Sequence, residues 1–266
     1  MSKHRTFKHL KIERQGAVAW VSLNRPEVAN ALSFATLVEL EQVGLEFRDD
    51  SQIRVIVLKG EGKHFSAGAD LNDPQWTTPL PLLEERRRLR QGERAIKAIY
   101  HLDQITICAW QGAAAGGGAC LTTATDFRIG ANDCFMMYPE IDLGINLSWQ
   151  SLPLIVNLVG PARAKRLVIG NERVEAQALM DWGILDQLVD RANLDAAAAQ
   201  MAAHYVDRPP ITAQMIKASV NALTAQSSDA VMHMETDQYL LSRSTEDRKI
   251  AVKAYLAKEA AVFKGN

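Results

Sequence analysis

A run of glycine and alanine at a strand-to-helix junction constrains this 266-residue chain more than any other feature. Gln111-Gly112-Ala113-Ala114-Ala115-Gly116-Gly117-Gly118 follows a β-like stretch, Ile105 to Trp110. It precedes Ala119-Cys120-Leu121-Thr122-Thr123-Ala124, small residues that can start a helix. Three consecutive glycines take every Cβ out of such a junction, so a ligand can approach the backbone closely. Free N–H groups at a helix start can then point at a developing negative charge, which is one half of an oxyanion hole. The other donor is expected from a different loop, and His64-Phe65-Ser66-Ala67-Gly68-Ala69-Asp70-Leu71 supplies the candidate.

The rest of the chain alternates strands with helices. Residues 9–14 and 17–23 alternate in polarity around Gln15-Gly16 and read as a hairpin. Ser33 is a fair N-cap for a helix to about Asp49, and residues 54–59 form a buried strand. Residues 72–81 carry three prolines without periodicity and read as a loop before a charged helix over 82–101. Short strands are expected at 127–129 and 134–137. From Pro161 the chain reads as mostly helical, with Pro161 opening one helix and Gly170 stopping it. Further helices are expected over 174–182, 194–206, 210–223, 230–241 and 245–262. This order argues for α/β layering. Pro209-Pro210 divides a core, residues 1–208, from a helical C-terminal subdomain, 209–266. Met232, Met234, Tyr239 and Leu241 suit either an interface or an ordinary core.

Composition narrows the function classes. The net charge of −1 gives no global field for nucleic acid or an acidic membrane. Arg86-Arg87-Arg88 and Arg90 follow Glu84-Glu85 and read as a solvated helix face. Cys108, Cys120 and Cys134 form no paired framework, which suits reduced thiols. No apolar run reaches signal-peptide or membrane-spanning length, so a cytoplasmic protein is expected. His64, His101, His204 and His233 are isolated, and no metal site is expected. The glycine tract does not have the GxGxxG spacing, which argues against a dinucleotide cofactor.

HFSAGADL, QGAAAGGGACL and YPEIDLGINL, in that order, resemble the crotonase (enoyl-CoA hydratase/isomerase) superfamily. The pattern runs through residues 9–189, including NRPEVANALS near its start and LVGPARAKRLVIGNERVEAQALMDWGILDQLV at its end, while residues 244–265 fit more loosely. The resemblance implies an α/β spiral of ββα units with a helical C-terminal trimerisation region. It implies a CoA thioester substrate used in fatty acid metabolism, no tightly bound cofactor, and a homotrimer or dimer of trimers. By residue-for-residue match, the backbone N–H groups of Ala69 and Gly117 hold the thioester carbonyl, and Glu140 moves a proton. A carboxylate in a dry pocket has its pKa raised toward the working pH, as that task requires. Asp142, two residues on in what reads as an extended segment, faces the other way. Ala67, Ala69, Asp70 and Leu71 match the loop on the CoA side, and Lys258 matches a lysine that reaches CoA phosphate. Asn72 stands where many hydratases have a lysine.

The main departure is Cys120. Two-glutamate hydratases carry one of their glutamates there, and this chain does not. Cys120 is expected to fill space in the substrate pocket beside Ser148 and Trp149, with Trp76, Met136, Tyr138 and Asn146 as further walls. Ser148 matches a position where some isomerases carry a second acid. The expectation is therefore enolate chemistry with one glutamate, as hydratase or isomerase. The alternatives are a C–C hydrolase on the same fold, or a weakly catalytic scaffold or RNA-binding relative.

Overall fold

The computed structural model describes residues 6–225 and 234–266. Among them are nine strands: β1 (Leu10–Gln15), β2 (Val18–Leu23), β3 (Val55–Gly60), β4 (Ile105–Trp110), β5 (Ala113–Ala115), β6 (Phe127–Ala131), β7 (Phe135–Met137), β8 (Val174–Glu175) and β9 (Gln187–Val189). The longer helices are α1 (Phe34–Arg48), α2 (Leu82–Tyr100), α3 (Gly117–Thr123), α4 (Ser151–Val168), α5 (Ala176–Asp181), α6 (Leu194–Val206), α7 (Pro210–Ala225), α8 (Glu235–Arg243) and α9 (Glu246–Ala257).

The hairpin forms as expected, β1 against β2 antiparallel. From β2 onward the large sheet is parallel, in the order β1-β2-β3-β4-β6-β9. Both faces of its central strands are covered, so they read as unbroken apolar runs. Val55, Val57, Ile107 and Ala109 face α6, where they meet Leu194, Ala197, Ala198 and Ala202. Their neighbours Ile56, Leu58, Cys108 and Trp110 enter the main core with Leu37, Leu40, Ile96 and Leu121.

A second ladder builds the spiral. After β2, β3, β4 and β6 the chain makes one extended contact outside the large sheet before it enters a helix. After β2 that contact is Leu32, bridged to Ala69; after β3 it is Ser66, bridged to Ala114. After β4 it is β5, which pairs with β7, the piece that follows β6. The repeat of strand, short extended piece and helix gives the mixed α/β architecture that the resemblance implied.

Several local expectations are corrected. The helix expected over 174–182 opens as β8, antiparallel to β7, and only Ala176–Asp181 is helical. Pro161 does follow a break, since Gly160 is non-helical at φ 75°, but another helical stretch precedes it from Ser151. The last helix stops at Ala257, because Lys258 turns left-handed at φ 56°. Residues 230–233 of the helix expected over 230–241, with Met232 and His233, lie outside the described residues.

Candidate active site

The spiral sets the two motif loops side by side. Phe65 N–H donates to Gln111 O at 2.8 Å, Ser66 N–H to Ala113 O at 3.0 Å, and Ala115 N–H to Ser66 O at 3.0 Å. On the other edge Leu32 N–H donates to Gly68 O at 2.7 Å and Asp70 N–H to Leu32 O at 3.0 Å. Backbone groups alternate in direction along an extended segment, so the Ala69 N–H is turned away from Leu32. Gly68, at φ 90°, makes this contact possible: a Cβ there would lie 2.6 Å from Ala115 O and 3.3 Å from Gly117 N. The glycines following it pack as tightly. A Cβ on Gly118 would sit 2.6 Å from Ser66 O.

Glu140 comes to the same junction. Gly116 N–H donates to Met137 O at 3.0 Å, which carries the chain after β7 past the glycines. A Cβ on Gly116 would be 2.7 Å from Glu140 Oε1. Glu140 caps a 3-10 turn, Ile141–Leu143, closed by Gly144 at φ 64°. Its Oε2 is sealed from solvent and has no hydrogen-bond partner among the described residues. Burial pushes the carboxyl up to about 7, opposed only by its own backbone N–H. Such a group exchanges protons near neutrality. The same turn corrects the reading of Asp142. The segment is not extended, and Asp142 is exposed because the turn carries it outward, where it accepts from Asn171 Nδ2 at 2.6 Å.

Cys120 is fully buried in α3. Burial, and then the Glu140 charge, push its thiol well above the ordinary range, which favours the neutral thiol over the nucleophilic thiolate. It faces Ser151, whose Oγ lies 3.2 Å from the Tyr138 hydroxyl. Met136 and Tyr138, expected as pocket walls, are instead fully buried in the core. Ser148 is half-buried. Trp149 has a defined seat. A Cβ on Gly92 of α2 would fall 2.0 Å from its ring, and one on Gly117 would fall 2.2 Å from it. The indole thus lies between α2 and the first residue of α3. Gly92 was a readable signal, since glycine inside a helix costs about 1 kcal/mol relative to alanine and calls for a packing reason.

Residues 13–266 match the family model described as enoyl-CoA hydratase/isomerase. The chain belongs to that family. It is 29% identical to a short-chain-enoyl-CoA hydratase of Clostridium acetobutylicum, over 93% of this chain and 94% of that protein. It is 30% identical to a 1,2-epoxyphenylacetyl-CoA isomerase of Escherichia coli, over 93% of this chain and 95% of that one. A solved enoyl-CoA hydratase/isomerase from Xanthobacter autotrophicus superposes with a TM-score of 0.85 at 26% identity, covering 96% of this chain and all of the other.

The loop expected to meet CoA has mixed exposure here. Ala67 and Leu71 are exposed, Ala69 is half-buried and Asp70 is buried. Asp70 is engaged inside the loop: its Oδ2 lies 2.9 Å from Arg25 Nη1, and its Oδ1 accepts from Asn72 N–H at 3.2 Å. Lys258 is exposed just past α9. The α2 arginines are more than a solvated face. Arg86 Nε reaches Asp237 of α8 at 2.6 Å, and Arg94 reaches Glu41 of α1 at 3.2 Å. Among the described residues no cluster of three or more His, Cys, Asp or Glu could hold a metal, and no helix is long and apolar enough to cross a membrane.

Proposed function

We propose that this enzyme polarises the carbonyl of an enoyl-CoA or acyl-CoA thioester with the N–H groups of Ala69 and Gly117 and moves the proton with Glu140. The observation that carries this reading is the Glu140 carboxyl beside Gly116, its Oε2 sealed without a hydrogen-bond partner among the described residues and its pKa raised to about 7. In double-bond isomerisation its ionised form takes a proton from one carbon. The electron pair moves into the thioester, and the enolate oxygen is held by the two N–H groups. The carboxylic acid then returns the proton at another carbon. In hydration the same carboxylate would activate water.

Cys120 leaves no carboxylate on the α3 side, which favours proton transfer between carbons over fast hydration of crotonyl-CoA. Ala67, Ala69, Asp70 and Leu71 form the loop proposed to meet CoA, with Lys258 reaching its phosphates. Substrate CoA is the only cofactor in this reading. Assembly as a homotrimer or dimer of trimers is supported by α7. Its residues Ile211, Met215, Ile216, Val220 and Leu223 are 52–73% exposed, beside an apolar groove of about 630 Å³.

The test is incubation with a panel of acyl- and enoyl-CoA thioesters in D2O, read by mass spectrometry. Deuterium uptake that disappears in Glu140→Gln is the expected result. Absence of both uptake and hydration across the panel refutes the reading.

A further inference from the structure

One buried carboxylate has no part in the chemistry above. Glu235 opens α8, is 3% exposed, and accepts the Gln150 N–H through Oε2 at 2.6 Å. Its Oε1 is buried with no hydrogen-bond partner among the described residues. Gln150 and the preceding Trp149 are both left-handed, at φ 60° and 63°. Neither is glycine or asparagine, the residues that enter this region readily, so the surroundings must hold the corner in place. It is held at two points. The Trp149 ring is seated between Gly92 and Gly117, and Glu235 grips the next N–H. The Gln150 side chain makes a weaker contact, Nε2 to Glu93 Oε1 at 3.4 Å, and Lys97 pairs with that same oxygen at 2.7 Å.

We propose that Glu235 is a positioning residue: by anchoring the left-handed Trp149–Gln150 corner it presses the indole onto Gly117 and fixes the direction of the Gly117 N–H. The inference rests on the reading of Gly117 as a carbonyl donor. A donor of this kind works through a direction set before the reaction begins, so its supporting wall matters as much as the donor. The anchor of that wall comes from a helix more than a hundred residues downstream of the glycine tract. The feature that matters is an acceptor at the right reach, and charge is secondary. A proton on Oε1 would leave Oε2 able to accept. Glu93 and Lys97 of α2 and Cys120 of α3 are the titratable groups that face Glu235.

Three variants separate reach from charge. Glu235→Gln keeps an acceptor at full length without the charge. Glu235→Asp keeps the charge and withdraws the acceptor by one methylene. Glu235→Ala removes both. With a thioester turned over by the wild type, Asp and Ala are expected to lower kcat roughly 10- to 100-fold, as a misplaced donor does. KM should move less than about 3-fold, because the donor acts mainly on the developing enolate, and Gln should stay within about 3-fold of wild-type kcat. Wild-type kcat in Asp and Ala, or a loss in Gln as deep as in Ala, overturns the proposal. If Ala does not fold, the Asp–Gln comparison decides alone. Amide exchange at Gln150 gives a readout independent of turnover. It should quicken in Asp and not in Gln, and unchanged exchange in Asp also overturns the proposal. Should the wild type act on no thioester at all, the functional reading fails while the exchange measurement still decides whether Glu235 anchors the corner.

Discussion

The glycine junction and helix α7 are opposites in packing. At the junction, a Cβ on Gly68, Gly116, Gly117 or Gly118 would come within 2.2–2.7 Å of Ala115 O, Glu140 Oε1, the Trp149 ring or Ser66 O respectively. Not one methyl group fits. On α7, side chains such as Ile211 and Leu223 stand 73% and 71% exposed among the described residues. Yet α7 is firmly attached on its other side, where buried Lys217 pairs with Asp126 at 2.7 Å and donates to Gln104 O at 2.7 Å. The junction is a place where one chain fills its own space. The outer face of α7 is one where large apolar side chains stand exposed. The site proposed for the chemistry and the face proposed for assembly thus lie in separate places, with different kinds of side chain.

That contrast can be broken at Glu140 first. Glu140→Gln should lower turnover by roughly 10²–10⁴ while leaving CoA thioester binding intact, measured by steady-state kinetics and calorimetry. In the wild type the base must be ionised, so kcat/KM should fall as pH drops below about 7, about tenfold per unit at the limit. Next comes Gly117→Ala, whose new Cβ would meet the indole at 2.2 Å. Displacing that ring and the N–H beside it should cost about 10²-fold in turnover, and overpacking should cost about 1–3 kcal/mol in denaturant unfolding. Gly183→Ala is the control. It has positive φ but nothing within 4 Å, so about 1–2 kcal/mol of strain and wild-type turnover are expected.

On the α7 side, Met215→Asp with Leu223→Asp should reduce the mass seen by light scattering to that of one chain. A wild-type protein that is already monomeric at micromolar concentration would remove the assembly proposal. A smaller effect concerns stability. The Glu140 carboxyl is held above its ordinary 4.5, so the protonated form stabilises the fold fully below about 4.5, and that contribution is lost as pH rises through about 7. Glu140→Gln should therefore unfold at higher temperature than wild type at pH 8, by an amount on the order of 3 kcal/mol, with no gain at pH 4. The smallest effect is expected at Cys120. Cys120→Ser should change turnover less than about 3-fold, since a hydroxyl can face Ser151 as the thiol does and costs about 1 kcal/mol or less when hydrogen-bonded. A large loss would make the thiol part of the chemistry.

Features that depend on neighbouring residues in sequence were legible. Ser33 caps α1 as its position suggests, accepting from Thr36 N–H at 3.2 Å, and the β1–β2 hairpin follows from alternation around Gly16. Features that depend on a distant partner were not. β5, β8 and β9 are two or three residues long, too short for periodicity, and exist because another strand lies alongside. The first half of α4 escaped because its N-cap, Gln150, is a left-handed residue with no side-chain cap. Asp142 was expected to face away from Glu140 on an extended segment, and the segment is a 3-10 turn instead, which carries no distinctive signal in its residues.

The sequence alone determined the longer strands and helices and the two glycine-bearing loops that can approach one another closely, while the glutamate that accompanies them was legible through the family resemblance. Those facts reside in residue type and motif: absent Cβ atoms, apolar runs, one carboxylate after a proline. Only the tertiary structure decided that Glu140 Oε2 is sealed without a partner among the described residues, that Gly92 makes room for Trp149, and that Glu235 accepts the Gln150 N–H of the corner beside Gly117. A carboxyl's pKa depends on which atoms replace its water, and a strained corner depends on what grips it. In this fold those atoms come from segments more than a hundred residues apart in the chain.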